Sequence, residues 1–496
     1  MNRFRERLIA FACFAGLSTI WSSTHAAQSG TWTPLNNSPP VSASAPLLLT
    51  DGTVIVHEAP CGSRWFRLTP DNTGSYVNGT WSQIASLPAG YQPLYFASQV
   101  LPDARVIING GEYNGSSCTR QDTTLGAIYD PVADAWTSVA PPSGWTSIGD
   151  APSIVLGNGQ YMLGNDLTKQ QAILNPATLA WTATGSNKAD VNNEEGWSLL
   201  PDGSVLTVDT NNAADSTHAE KYLPSTGGWI SAGSTIVQLP AFNGTTCPPP
   251  GFLSCEIGPE ILLPNGTVFA TGATGNTSIY KPSPPGNPNM PGVWTPGPSF
   301  PSPYVADDVP AALLPDGNVL VLVGAPNTNN IQFFEYDGTL TAVANPANPV
   351  RVDLHNMLVL PTGQVLLATY STDVEIYSPA GTFREPWRPT IEQGPFTLVH
   401  GQTYQVFGRL FNGRSLASAY GDDYQGATNY PLVRITNLAT GHVFYCRTFN
   451  TDSVTPTNDG RVNTNFTVPS DIELGDSQVE VVTNGIPSRA KAASVM

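Results

Sequence analysis

The sequence predicts an all-β protein, a seven-bladed β-propeller followed by a small β-sandwich, and three observations carry that prediction. One phrase (an apolar run, a two-residue turn ending in most copies in Gly, a second apolar run) returns seven times at roughly 45–55-residue intervals, one of them lengthened by an insertion after Trp229, which marks one supersecondary unit copied. Most copies continue into an aromatic residue followed by Pro or Gly, and then into a Trp-bearing strand. After Pro379 the repeat stops, and alternating apolar runs with turns about every 8–12 residues take over, the pattern of a sandwich.

The copies read LLLTDGTVIV from Leu47, QVLPDARVII from Gln99, SIVLGNGQYML from Ser153, LLPDGSVLTV from Leu199, ILLPNGTVFA from Ile261, LLPDGNVLVL from Leu313 and LVLPTGQVLL from Leu358. Their turn positions are Gly52, Ala104, Gly159, Gly203, Gly266, Gly317 and Gly363. Asp-Gly or Asn-Gly between β-rich runs signals a hairpin, because Gly accepts the positive φ of a tight turn. Phrases such as IYDP at Ile128 and IYKP at Ile279 add a third strand, and Trp81, Trp136, Trp181, Trp229 and Trp294 mark a fourth. A four-stranded sheet with two apolar faces must stack on neighbours, and radial stacking gives a propeller. The last copy lacks its Trp strand, whereas the chain opens with an unassigned one at residues 31–35. That strand is expected to complete the seventh blade and remove the open sheet edges.

Residues 1–26 have the form of a signal peptide: Arg3, Arg5 and Arg7, an apolar stretch over 8–20, and a small-residue cleavage site before Ala27. The expected organisation is therefore 1–26 signal peptide, 27–384 propeller and 385–496 sandwich, in a secreted or periplasmic protein. The apolar stretch is too short to span a membrane, and a monomer is expected. The whole chain carries −17; removing three Arg and Glu6 leaves about −19, a charge that argues against nucleic acid or anionic lipid as partner.

Export permits disulfides. Cys247 and Cys255 bracket the loop CPPPGFLSC and are expected to bridge locally. Cys61 and Cys118 each follow the second strand of adjacent blades and are expected to join blades one and two. Cys446 remains as a buried, inert thiol, and the spacings fit no zinc pattern.

Candidate chemistry sits about nine residues before each turn, on the order of 25–30 Å away along the innermost strand, at the opposite mouth of the channel. Those positions hold Ser42 and Ala43, Tyr95, Asp150, Glu194 and Glu195, Glu256, Asp307 and Asp308, and Asp353 with His355. The second strands return to the same mouth with His57, Glu58, Glu112, Asp166 and Asp209. Converging carboxylates repel unless a cation sits among them; Asp150, Glu194, Glu256 and Asp308 are thus candidate ligands for Ca²⁺, which prefers oxygen. Backbone N–H groups of the interblade loops are the alternative partners. No Ser-His-Asp spacing, GxSxG or phosphate loop is present, and His218, His400 and His442 read as surface residues.

In its leader, its seven repeats, the RPTI segment at 388–391 and the closing VTNGIPSRA at 482–490, the chain resembles the galactose oxidase-like group of secreted kelch-repeat proteins. The resemblance covers nearly the whole length and implies a kelch-type propeller followed by an early-set immunoglobulin-like domain. Copper-radical oxidases of that group use a Tyr crosslinked to a Cys, a second Tyr and two His. Tyr95, in PLYFAS, falls at the phase of the crosslinked Tyr, and His355, in VDLHNM, falls within one residue of a copper His; these two are the catalytic candidates. The remaining positions depart from the pattern. Residues 42–49 offer no Cys, Leu354 stands where the second Tyr belongs, and the loop NGRSLASAYGDDYQGATNYP at 412–431, which in the group reaches into the channel, has no His. Copper needs about four N/O donors, so this set argues against it. The loop carries Tyr420, Asp422, Asp423, Tyr424 and Asn429, residues suited to sugar faces and hydroxyls and equally to a plug.

The residues favour a secreted protein that binds a glycan or another extracellular ligand at the acidic mouth through Tyr95, Asp150, Glu194, Asp308, His355, Asp422, Asp423 and Tyr424. The alternatives are an oxidoreductase of the galactose oxidase-like type with an altered metal site, and a structural envelope or matrix protein.

Overall fold

Each copy of the repeat folds as an antiparallel blade whose strands run outward from a central channel. The computed structural model describes residues 30–243, 255–457 and 459–496; the leader expected at 1–26 and Cys247 of the expected 247–255 bridge lie outside them. The innermost strands are Ala43–Leu48, Ala97–Val100, Ser153–Val155, Ser198–Leu199, Ile257–Leu262, Ala311–Leu313 and Asn356–Val359. In the first blade they are followed by Val54–Glu58, Trp65–Thr69 and Thr80–Ile84. Ala43–Leu48 is wholly buried and Thr80–Ile84 largely exposed. Inner strands read as near-continuous apolar runs because neighbouring blades cover both their faces.

The repeated turn differs from the expected two-residue form. In the first blade Leu49 N–H donates to Thr53 O and Gly52 N–H to Leu49 O, at 2.7 and 3.0 Å. That is a three-residue loop, a type I turn whose last residue sits in the left-handed region. The same pair of bonds recurs in all seven copies. The turn-position residue is left-handed each time, including Ala104 at φ 74°. In six of the seven copies the Asp or Asn before it accepts the N–H two residues on, as Asp51 does from Thr53 at 3.0 Å; the seventh copy has Thr362 there.

The repeated Trp bolts one blade to the one before it. Trp81, Trp136, Trp181 and Trp294 donate their indole N–H to Asn37, Ala85, Ala140 and Ala232 carbonyls at 2.7–3.1 Å. Trp32 does the same to Ala344 at 2.7 Å. The strand Thr31–Pro34 pairs antiparallel with Val374–Ser378, Trp32 opposite Tyr377, so the first strand of the described chain completes the seventh blade and closes the ring.

The C-terminal strands, from Thr390–Gln393 to Lys491–Val495, form one hydrogen-bonded path that curls around its own apolar core, which includes Val406, Val433, Cys446 and Phe466. The expected two sheets are continuous because Val443–Phe449 pairs with Leu432–Asn437 through its first half and with Val462–Thr467 through its second. This unit sits over the hairpin turns: a Cβ on Gly52 would collide with Tyr445, and one on Gly363 would crowd Gly485. The turn face is therefore covered by the C-terminal sheet.

Cys61 and Cys118 form the expected disulfide between the first two blades, and Cys446 is buried. A disulfide fits an extracellular protein, and among the described residues no helix is long and apolar enough to cross a membrane.

Candidate functional site

One loop of the C-terminal sheet threads the channel and delivers its tip to the opposite mouth. It joins Thr403–Arg409 to Leu432–Asn437, and midway Ser418–Ala419 adds a fifth strand to the sixth blade, Ala311 opposite Ala419. Tyr424 Oη donates to Pro46 O and Met357 O, at 2.7 and 3.0 Å, bridging the first and seventh blades. Tyr430 Oη donates to Leu48 O, and Tyr420 Oη to Asp353 O at 3.0 Å. The loop also presses on the fourth blade: a Cβ on Gly196 would collide with the Gly421 carbonyl. Tyr420, Tyr424 and Asn429 are buried along this path. Their role is that of a plug, and the structure does not bring Tyr424 to the mouth surface.

The tip, Asp422 and Asp423, emerges among carboxylates of the blades. One oxygen each from Asp150, Glu194 and Asp422 lie within 4.8 Å of one another. Asp150, Asp422 and Asp423 are buried, while Glu194, Glu256 and Asp308 are partly exposed. At that spacing two ionised carboxylates repel by about 3.5 kcal/mol at an effective dielectric constant near 20. The carboxyls of Asp150, Glu194, Asp308 and Asp423 are held well above the ordinary range, first by burial and then by neighbouring carboxylates, Asp422 foremost for Asp150, Asp308 and Asp423 and Glu256 for Glu194. Asp422 is raised by burial as well.

Tyrosines rim the acids. Tyr95 and Tyr370 are partly exposed with ring centres 6.3 Å apart, and Tyr113 lies 6.1 Å from Tyr95. Burial and the nearby carboxylates, Asp308 foremost for Tyr95, raise both the Tyr95 and Tyr370 phenols. Arg351 donates to both oxygens of Asp353 at 2.5 Å, and Arg120 pairs with Glu112 at 3.0 Å and Asp122 at 3.3 Å. The main chain supports the convergence: Tyr95, Glu194 and Asp308, at one phase of three blades, all have positive φ (53°, 60° and 55°) and Tyr370 has 52°. Left-handed non-glycine residues cluster at ligand sites. Tyr370, Tyr113 and Arg351 were missed by sequence reasoning; continuing the second-strand phase into the seventh blade would have found Tyr370.

Other expected mouth residues are used elsewhere. His355 is buried in the blade, its Nδ1 3.0 Å from Arg351 O and its ring near Phe333. His57 packs between Trp65 and Phe96 with Nε2 2.8 Å from Gly62 O. Burial depresses both imidazoles to about 4. Glu58 pairs with Arg64. Asp166 is buried, its carboxyl raised to about 6 by that burial. Asp209 meets His218, Nδ1 to Oδ2 at 2.7 Å. Asp209 also belongs to a second acidic group, with Asp190 and Glu195. That group has a built-in cation: Lys188 Nζ, fully buried, contacts Glu195 at 2.8 Å and Glu220 at 2.7 Å.

The donors at the mouth do not fit a copper-radical centre. They are carboxylates and phenols; His355 is turned into the blade with Nδ1 against main-chain carbonyls, and the loop tip supplies Asp422 and Asp423 rather than an imidazole.

No protein-family model matches this chain, and no curated protein matches it by sequence. Among solved structures it is similar to a fungal alcohol oxidase of the AA5 family in complex with copper, at 15% identity, over 95% of this chain and 99% of that one, with TM-score 0.50. A streptogramin B lyase matches at 10% identity over 71% of this chain and 98% of its own, TM-score 0.47. A virginiamycin B lyase from Staphylococcus aureus matches at 9% over 70% and 98%, TM-score 0.46. At 15% identity the likeness to the alcohol oxidase is one of fold alone: an all-β chain built as a seven-bladed propeller with a curled C-terminal sheet.

Proposed function

We propose that this protein is an extracellular binding protein whose open channel mouth takes a polyhydroxylated ligand of the carbohydrate class. The observation that carries this reading is the convergence of the threaded tip, Asp422 and Asp423, with Asp150, Glu194 and Asp308 beside the partly exposed rings of Tyr95, Tyr113 and Tyr370. Carboxylates accept hydrogen bonds from sugar hydroxyls, and aromatic faces cover the apolar side of a sugar ring. The disulfide fits the extracellular setting in which such ligands occur.

A glycan array tests it. Wild-type protein is expected to retain at least one glycan, and Tyr95→Ala and Asp308→Asn to lose it while melting within a few degrees of wild type. No hit on any glycan would leave a structural matrix role ahead. Release of peroxide from alcohols, sugars or aldehydes, abolished in Tyr95→Phe, would replace binding by oxidation.

A further inference from the structure

We propose that Asp150, Glu194 and Asp422 form a Ca²⁺ site at the open mouth, in which one ion ties the threaded C-terminal loop to the third and fourth blades. This deepens the reading of the mouth as a ligand site and rests on it only for the use of the ion, not for its binding.

Two observations point to an ion. The three residues come from separate parts of the chain, yet each offers an oxygen within 4.8 Å of the other two. Asp150, only 5% exposed, also keeps Oδ1 without any hydrogen-bond partner. A buried carboxylate oxygen without a protein donor is costly, and here it belongs to a side chain facing two more carboxylates. The nearby guanidinium groups are engaged: Arg120 bonds Glu112 and Asp122, and Arg351 bonds Asp353.

The donor set selects the ion. It is oxygen only, which suits Ca²⁺, Mg²⁺ or Mn²⁺ rather than zinc or copper. Edges of at most 4.8 Å put the centre no more than about 2.8 Å from each oxygen, which admits calcium–oxygen distances of about 2.3–2.6 Å; an irregular carboxylate set from three separate segments also suits the flexible coordination of Ca²⁺ better than the near-ideal octahedron that Mg²⁺ demands. Asp308 and Asp423 stand near enough to interact electrostatically with Asp422 and complete a carboxylate-rich second layer.

The test uses the whole protein, chelator-treated and desalted, with Ca²⁺ alone as probe. Calorimetric titration is expected to show one saturable site with Kd of about 10⁻⁵–10⁻³ M, the range from sensors to extracellular modules, and saturating Ca²⁺ to raise the melting temperature. Asp150→Asn and Glu194→Gln should each weaken binding at least tenfold. In chelator both should melt no lower than wild type, since each replaces a carboxyl crowded against two others by a neutral amide of the same shape. Should either variant fail to fold, terbium luminescence of the wild type, sensitised by Tyr95 or Tyr113 and displaced by Ca²⁺, carries the same test. Absence of both saturable heat and sensitised emission overturns the site, as does wild-type affinity in the two variants. Ca²⁺ binding without a glycan hit would remove the carbohydrate reading and leave the ion; a glycan hit unchanged by chelator together with no Ca²⁺ binding would do the reverse.

Discussion

Replacing Lys188 by Met should be among the most damaging single changes in the propeller. Its ammonium is fully buried and bonds Glu195 and Glu220, themselves 0% and 2% exposed, with the indole of Trp229 5.0 Å away. At an effective dielectric constant near 20, each of the two ion pairs is worth about 6 kcal/mol in gross attraction. Desolvation of the three ions offsets much of that, and breaking such a buried pair costs about 3–5 kcal/mol in practice, because the abandoned carboxylates stay buried. Glu220 keeps the Ala189 N–H at 2.8 Å, whereas Glu195 keeps only the Thr207 hydroxyl at 3.3 Å, so most of the loss falls on Glu195. Guanidinium unfolding followed by tryptophan fluorescence measures it. A Lys188→Met/Glu195→Gln double variant should recover at least half of the deficit, because the stranded charge is gone. A Lys188→Met protein within about 1 kcal/mol of wild type, below the cost of one unsatisfied buried group, would refute the reasoning.

Three further outcomes follow from the same structure. Replacing Cys61 and Cys118 together by Ser frees a 57-residue loop and should cost about 4 kcal/mol by the chain-entropy relation; an unchanged denaturation midpoint would contradict the bridge between blades. Deleting residues 27–36 removes Trp32 and the outer strand of the seventh blade, exposing the edge Val374–Ser378; the truncated protein should melt well below wild type and aggregate, and equal melting would deny closure. His57 is neutral when folded, with its pKa depressed from 6.5 to about 4 by burial. The unfolded chain therefore binds the extra proton between those values, and stability is lost as pH falls from about 6.5 to 4, by about 3 kcal/mol. His57→Phe should accordingly gain on wild type by that amount over the same interval, and parallel pH curves would rule it out.

The architecture was legible because it is written seven times. The hairpin phrase fixed the inner strands, the repeated Trp marked the outer ones, and the unassigned Trp32 strand forecast ring closure. The turn itself was misjudged by one residue, since Asp-Gly serves both two-residue and three-residue loops; the bond from Leu49 to Thr53 distinguishes them. Acids at one phase of the repeat did converge, as Asp150 and Glu194 show. What sequence could not resolve is direction. His355 shares the phase of the mouth residues but turns into the blade against Phe333, and Tyr424 shares a loop with Asp422 but faces the channel wall. Lys188, Glu195 and Glu220 carry no joint signal, because their meeting depends on blade stacking.

The threaded loop and the blades together are proposed to build one binding mouth around Asp422. Anomalous diffraction from a terbium-soaked crystal tests it directly. A single strong peak is expected within bonding distance of Asp150, Glu194 and Asp422; a mouth without a peak, or a loop tip lying outside the channel, would contradict that arrangement.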